Sequence, residues 1–359
     1  MKVGLYAGLL FGGGAEKVIV ELANGLSAAG DQVYLFADRL TSKDYPVEPD
    51  VTVVDFMSHP SENPLKKNLR RTSELRKVCS EQSLDVLVSF LSAPSFRSAA
   101  ATLGLKTVHI MSVRNDPAKE YPTWRMGLAK LLFHHTRLFV FQTEEARNGF
   151  FKIALSKTCV IPNPVDASFF QIVPSKTSET IVSIGRLTNQ KNFALLVDAF
   201  ADIAADYPSV ELRIYGEGEL KAELEERASR LGVEKRVHLC GRTSDVPRVL
   251  AGAKMFVLSS DYEGMPNALM EALAAGLPCV ATDCPVGGPR MLILSAEEGL
   301  LVKTGDREGL GRAIAAILGD PERARRLGVN AKHRMEELRT EKVVATWRRA
   351  VELASSGEC

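Results

Sequence analysis

Short apolar runs of strand length alternate with amphipathic helical stretches along the chain. The runs predict strands at Val3–Ala7, Gln32–Phe36, Val51–Asp55, Val86–Phe90, Thr107–Ser112 and Leu138–Gln142. A second series follows at Thr180–Ile184, Glu211–Tyr215, Val237–Leu239, Met255–Ser259 and Pro278–Ala281. Helical patterns such as Glu16–Ala29 and Asn192–Ala205 lie between most of them. A repeated strand–helix unit has few ways to pack: its sheet is parallel and buried on both faces by its own crossover helices. The expected fold class is α/β, with Rossmann-like, doubly wound parallel sheets.

The chain has 359 residues, enough for two such domains. The stretch IPNPVDASFFQIVPSKTSE, residues 161–179, carries three prolines and little periodicity, and reads as the linker. It sets an N-terminal domain at 1–165 and a C-terminal domain at 166–339. The last helices, from about Pro321, are rich in Arg, Lys and Glu and read as surface helices.

Composition removes several classes. A net charge of +1 lacks the basic excess of a general nucleic-acid binder. Six scattered cysteines form no CxxC pair and no Cys/His ligand spacing, so no zinc or redox motif is indicated. The apolar start MKVGLYAGLLFGGGAEKV is broken by three glycines and ends in Glu16 and Lys17. It reads as a buried first strand and a glycine loop, not as a secretory signal. No run approaches the ~18 apolar residues of a membrane span.

Ligands of open parallel sheets bind beyond the carboxyl ends of the strands, and the motifs fall there. Gly12, Gly13 and Gly14 precede a helix start, where free N–H groups and the helix dipole suit an anion; a plain turn is the alternative. Arg186 and Lys191, in Gly185–Asn192, stand where a helix opens. A guanidinium fork beside an ammonium suits a diphosphate, though a solvated loop has the same residue types. The segment Ser260–Ala272 sets Glu263 in a loop and Glu271 in the helix that Pro266 opens. Carboxylates only accept, so they suit ligand hydroxyls. The N–H groups of Asn267 and Ala268 suit an anion. Hydroxyl and phosphate binding together point to a nucleotide sugar.

At these residues the chain resembles the family 4 glycosyltransferases, retaining enzymes of the GT-B fold. Glu263 and Glu271, with seven residues between them, match the family's EX7E motif. Arg186 with Lys191, Tyr215-Gly216-Glu217-Gly218, Leu239-Cys240-Gly241-Arg242 and the Gly-Gly-Ala-Glu run at 13–16 match in order. The resemblance implies two domains facing a central cleft, with the helix at about 340–359 packed back on the first. It implies that Arg186 and Lys191 stabilise the departing diphosphate and that Glu263 contacts donor-sugar hydroxyls. Glu271 would accept from the ribose. Gly264, Met265, Pro266, Asn267, Ala268 and Leu269 would line sugar and phosphate, with Gly185 and Gly216 on the donor side. Gly241 and Arg242 would lie near the base, and the Gly12–Gly14 loop over a phosphate. No cofactor and no metal are implied, and no Asp-x-Asp signature occurs.

The resemblance is closest to transferases that add N-acetylhexosamine to undecaprenyl-diphosphate-linked sugars in polysaccharide and lipopolysaccharide assembly. It rests on SVRNDP, residues 112–117. Many relatives carry a histidine facing the donor sugar where this chain has Arg114, which is expected in that role. His109, inside a strand, reads as a core histidine. The implied substrates are a UDP-sugar and a lipid-linked glycan. A nucleotide-sugar epimerase of the same fold, or an idle nucleotide-sugar-binding homologue, remains as an alternative. Six cations fall at 66–77. Lys66, Lys67, Arg70 and Arg71 flank a stripe of Leu65, Leu69, Thr72 and Leu75–Val78. The reading is an anionic-membrane or lipid-diphosphate acceptor surface; a solvated helix with its apolar side on the core is the alternative. Trp124-Arg125-Met126 with Lys130 would add an interfacial anchor. The resulting expectation is a cytoplasmic protein, peripheral on the inner leaflet.

Overall fold

A computed structural model describes residues 1–56, 63–121, 133–150 and 157–357. The chain divides into two units. One is Met1–Pro164 with Thr340–Cys359, the other Val165–Arg339.

The first unit holds a parallel sheet of β1 (Lys2–Tyr6), β2 (Gln32–Ala37), β3 (Thr52–Asp55), β4 (Val86–Phe90), β5 (Val108–Val113), β6 (Leu138–Phe141) and β7 (Thr158–Val160). Its order is β3-β2-β1-β4-β5-β6-β7. The second holds β8 (Thr180–Ile184), β9 (Glu211–Tyr215), β10 (Val237–Leu239), β11 (Met255–Leu258), β12 (Cys279–Asp283) and β13 (Leu300–Lys303). Its order is β10-β9-β8-β11-β12-β13, again parallel. The α/β, doubly wound class is thus found in both units. Each sheet reverses direction once, between β1 and β4 and between β8 and β11. Those reversals open the crevices in which such sheets take ligands.

Both faces of the first sheet are covered. Val3, Leu5, Val33 and Val88 pack with Val18, Ile19, Leu22 and Leu26 of the helix Gly14–Ala28. The helix Thr340–Ser356 adds Val343, Val344, Trp347 and Val351 to the same cluster. A Cβ at Gly25 would press on the Val344 side chain, so the two helices meet closely there. Tyr6, Phe36, Phe56, Leu75, Cys79 and Leu87 form the core of the opposite face. Each such side chain taken fully out of water contributes about 1.5–3 kcal/mol.

The structure corrects three expectations. Strands β7 and β13 were not predicted; both lie at sheet edges, and their half-buried residues give no continuous apolar run. The linker shrinks to a crossing at Pro164–Val165, because Val165, Phe169, Phe170 and Ile172 are buried in the second unit's core. Val165 N–H donates to Leu338 O (2.8 Å), beside the return crossing at Arg339–Thr340. The last helices are amphipathic rather than superficial: Pro321–Met335 buries Leu327, Ala331 and Met335. No helix among the described residues is long and apolar enough to cross a membrane.

Candidate active site

The switch point of the second sheet gathers the predicted charges. After β8, Gly185 N–H donates to Tyr215 O (2.9 Å). A short turn, Asn189–Lys191, follows. Asn192 adopts a left-handed conformation (φ 44°) and caps the helix Phe193–Ile203, its side chain accepting from Leu195 N–H. Asparagine tolerates that backbone region better than most residues.

The loop after β11 is laced to this one. Ser259 Oγ donates to Lys191 O (2.9 Å), Asn192 Nδ2 to Asp261 Oδ1 (2.8 Å) and Gln190 Nε2 to Tyr262 O (3.0 Å). Asp261 N–H donates back to Gln190 O (2.9 Å). Lys191 Nζ then forms an ion pair with Glu263 Oε1, which also accepts from Ser260 Oγ (2.7 Å). Glu263 is 6% exposed, and its backbone is held on both sides by the loop after β12. Glu263 N–H donates to Pro285 O and Val286 N–H to Glu263 O. Burial first, and the Glu263 charge next, push the Cys284 thiol up to about 12, so it stays protonated.

Glycines let these loops close up. The Lys191 stem lies over Gly185, where a Cβ would sit 3.1 Å from Lys191 Cε. A Cβ at Gly216 would collide with the Gly185 carbonyl oxygen, and one at Gly288 with the Gly264 carbonyl oxygen. Gly216 N–H donates to Gly241 O (2.8 Å). The structure therefore brings Gly185, Lys191, Gly216, Gly241, Glu263 and Gly264 together. The sequence reading missed Gly288 and gave no role to Ser260 and Asn192 within the segments it singled out; only Asn192, a cap residue ahead of an apolar run, carried a signal.

The helix Asn267–Ala274 starts one residue after Pro266, which serves as its cap rather than lying in its first turn. Leu269 and Met270 N–H both donate to Pro266 O (3.1 Å), so Asn267 and Ala268 stand ahead of the ladder. Met265 and Leu269 put their side chains in the core, which leaves only their backbone for a ligand. Glu271 is buried among Met270, Ala272, Leu273 and Ala274. Arg186 and Arg242 are exposed.

In the first unit Gly13 caps the helix Gly14–Ala28, and the Glu16 carboxylate folds against it, where a Cβ would sit. Gly12 has φ +85° and is exposed. Arg114 is buried, not open to a ligand. Its guanidinium lies 4.0 Å from the Phe90 ring centroid and 5.4 Å from that of Trp347, and Nη1 donates to Asn163 Oδ1 (2.8 Å). Burial lowers its pKa to about 9. The short loop after a strand showed that it follows β5, but not that two rings enclose it. His109 is the satisfied core residue expected: its ring nitrogens meet Ser89 Oγ and Thr136 Oγ1, each at 2.9 Å.

The basic helix Pro64–Glu81 is only partly the surface that was read. Arg71 is buried and paired with Asp38 (Nη1 to Oδ2, 3.0 Å), and Arg70 is held by both oxygens of Glu74. Both cations are therefore engaged by carboxylates within the fold. Lys66 is exposed and Lys67 half-buried. Leu65 and Leu69 do not rest on the core but are 74% and 71% exposed. The patch at Trp124, Arg125, Met126 and Lys130 lies outside the described residues.

A further cluster had no signal in local spacing. Tyr6 Oη donates to Asp38 Oδ1 (2.6 Å), Arg97 Nη1 donates to the same oxygen (2.7 Å), and Arg97 also meets Tyr6 Oη. It lies beyond the carboxyl ends of β1 and β2, against the helix Ser92–Thr102 that follows β4.

Comparison with known proteins agrees with this layout. Residues 165–334 match the family model "Glycosyl transferases group 1", and residues 12–169 match "Glycosyltransferase Family 4". The chain is 26% identical over 360 residues to a Campylobacter jejuni alpha-1,4-N-acetyl-D-galactosaminyltransferase, with 97% of each chain covered. That enzyme is named for an acceptor GalNAc-alpha-(1->4)-GalNAc-alpha-(1->3)-diNAcBac-PP-undecaprenol. This chain is also 26% identical over 283 residues to an Escherichia coli UDP-Gal:alpha-D-GlcNAc-diphosphoundecaprenol alpha-1,3-galactosyltransferase, covering 71% of this chain and 72% of that enzyme. Among solved structures, Anabaena Alr3699/HepE in complex with UDP and glucose superposes with a TM-score of 0.82 at 17% identity, covering 98% and 99%.

Proposed function

The chain is a glycosyltransferase, carrying a family 4 domain followed by a group 1 domain, and from that premise we propose that it transfers an N-acetylhexosamine from a UDP-sugar to a glycan on a lipid diphosphate, with retention. The observation that carries this reading is the fixed charge pair at the β8/β11 switch. Lys191 is pinned by its backbone to Ser259 and by its ammonium to Glu263. The second oxygen of Glu263, Oε2, makes no hydrogen bond among the described residues and can accept from a sugar hydroxyl. A cation, an acceptor-only carboxylate and a helix start within one laced pair of loops match a phosphate joined to a sugar.

The mechanism is positioning plus charge stabilisation. The bond from the anomeric carbon to the diphosphate breaks as the bond to the acceptor oxygen forms on the same face. The hydroxyl proton leaves on the departing diphosphate oxygen. Lys191 and the exposed Arg186 meet the charge that develops there. Fixed donors of this kind contribute about 2.7–4 kcal/mol each. These two cations supply the charge role, so the proposed reaction uses no metal and no cofactor. Glu271 and the loop at Gly241 and Arg242 take the nucleoside in this reading.

The two curated relatives differ in the sugar that their names carry, which supports the acceptor class more than the donor. A screen of nucleotide sugars, reading nucleotide release and product mass with an undecaprenyl-diphosphate-linked acceptor, tests the reading. Release that is equal with and without acceptor would overturn it in favour of an epimerase. The peripheral membrane contact is proposed on Lys66, Lys67, Leu65 and Leu69. Sedimentation with anionic vesicles should drop in a Lys66→Ser/Lys67→Ser/Leu69→Ser variant, and an unchanged bound fraction rejects the contact.

A further inference from the structure

The first sheet has a switch point of its own, between β1 and β4, and a charged cluster lies there within the first unit. Asp38 takes the Tyr6 hydroxyl and Arg97 on Oδ1, and Arg71 on Oδ2. Two guanidiniums thus share one carboxylate. Burial, its largest influence, raises the Tyr6 pKa, so the phenol stays a neutral donor. The cluster carries one unbalanced positive charge in a site where side chains are largely shielded: Arg97 is 11% exposed, Arg71 7% and Asp38 16%. A charge so placed interacts more strongly than one in open solvent.

Arg97 is the member with capacity to spare. Nη1 is used by Asp38 and Tyr6, and Nε donates to Asn68 Oδ1 (3.1 Å). Nη2 makes no hydrogen bond among the described residues, and the side chain keeps part of its surface exposed. The guanidinium is held by three partners and presents one open edge. Asn68 lies three residues from Leu65 and next to Leu69, on the helix Pro64–Glu81. Residues three and four apart share a helix face, which puts Leu65 on the face of Asn68 and Leu69 on that of Leu65, so the helix that holds the cation through Asn68 carries two exposed leucines nearby. An anion joined to an apolar chain fits that pairing.

We propose that Arg97 anchors the diphosphate of the lipid-linked acceptor, with Leu65 and Leu69 taking the first isoprenoid units; this rests on the lipid-diphosphate reading above. Asp38 and Tyr6 position the guanidinium, and Gly8 leaves the Asp38 carboxylate uncovered, a Cβ there standing 3.7 Å from Oδ2.

The test is calorimetric titration of the full chain with farnesyl diphosphate, farnesol and inorganic pyrophosphate, beside acceptor kinetics. Farnesyl diphosphate should bind more tightly than either part. Arg97→Gln should weaken it by about tenfold or more, the loss expected for a charged hydrogen bond, and Arg97→Lys by less. The acceptor KM should rise in parallel while UDP affinity holds. Tyr6→Phe separates structure from contact: it removes a bond of the network but no bond to the ligand. Equal losses in Tyr6→Phe and Arg97→Gln, or unchanged farnesyl diphosphate binding in Arg97→Gln, overturn the proposal. So does Arg97-dependent binding of phosphatidylglycerol vesicles without binding of farnesyl diphosphate. If wild type uses no lipid-linked acceptor, the function reading fails, and the titration still reports on Arg97 by itself.

Discussion

Lys191→Ala is expected to injure the protein twice, and the two injuries can be separated. The side chain meets Glu263 while itself 16% exposed, and the Glu263 side chain is 8% exposed. Removing the ammonium leaves a buried carboxylate with Ser260 as its hydrogen-bond partner. Breaking such a pair by deleting one member costs about 3–5 kcal/mol. The lower end applies, because Ser260 still donates to the stranded carboxylate. About 3 kcal/mol corresponds to a fall in Tm of roughly 6–12 °C for a unit of this size. The chemical loss is separate: a missing donor to the departing diphosphate costs about 10²–10³-fold in kcat. The double variant Lys191→Ala/Glu263→Gln removes both charges, so most of the stability should return while kcat stays low. Urea unfolding and nucleotide release, measured on wild type, both singles and the double, close the cycle. Wild-type kcat in Lys191→Ala would sink the catalytic assignment. Equal instability in the Lys191 single and the double variant would refute the coupling to Glu263.

Gly216→Ala should lower stability by about 1–3 kcal/mol and raise the donor KM, since its Cβ would strike the Gly185 carbonyl oxygen beneath Lys191; a neutral result in thermal melts and kinetics would contradict the close approach. Burial, with His135 a lesser cause, lowers the His109 pKa to about 3, against about 6.5 in an unfolded chain. Between those values the unfolded chain holds a proton that the folded chain refuses. Stability is therefore full above about pH 6.5 and falls toward pH 3 by up to about 1.4 kcal/mol per unit. His109→Gln should flatten that acid limb by one proton in urea titrations across pH, and an unchanged slope counts against it. Arg114→Ala should cost about 2–4 kcal/mol by opening a void between Phe90 and Trp347, with Arg114→Met milder; equal melting curves for the two would show that stacking is not what the residue contributes.

What the sequence disclosed follows from range. Strands such as β4, buried at every position, announce themselves as apolar runs. The pairing of Glu263 with the loop at Lys191 was foreshadowed because both follow strands of one sheet. Arg71 shows the limit. On the helix alone it looks like Lys67, one member of a cationic face, and only the fold brings Asp38, 33 residues away in the chain, against it. Arg97 meets that same aspartate across 59 residues. Phe169 and Phe170 sat in a proline-rich stretch that looked unstructured, and their burial depends on a core supplied by residues from Val182 to Leu338.

The return of Thr340–Ser356 to the first unit has a consequence for how the chain is made. As the polypeptide leaves the ribosome, residues 1–164 emerge first, yet their cluster lacks Val343, Val344, Trp347 and Val351 until the final helix is out. The unit spanning Val165–Arg339 has all of its own residues sooner. Synthesis order and completion order are therefore inverted: the second unit can finish while the first waits, its apolar flank open, for a segment that follows the second unit in sequence. A stop codon before Trp347 would spare the second unit and strand the unit made first.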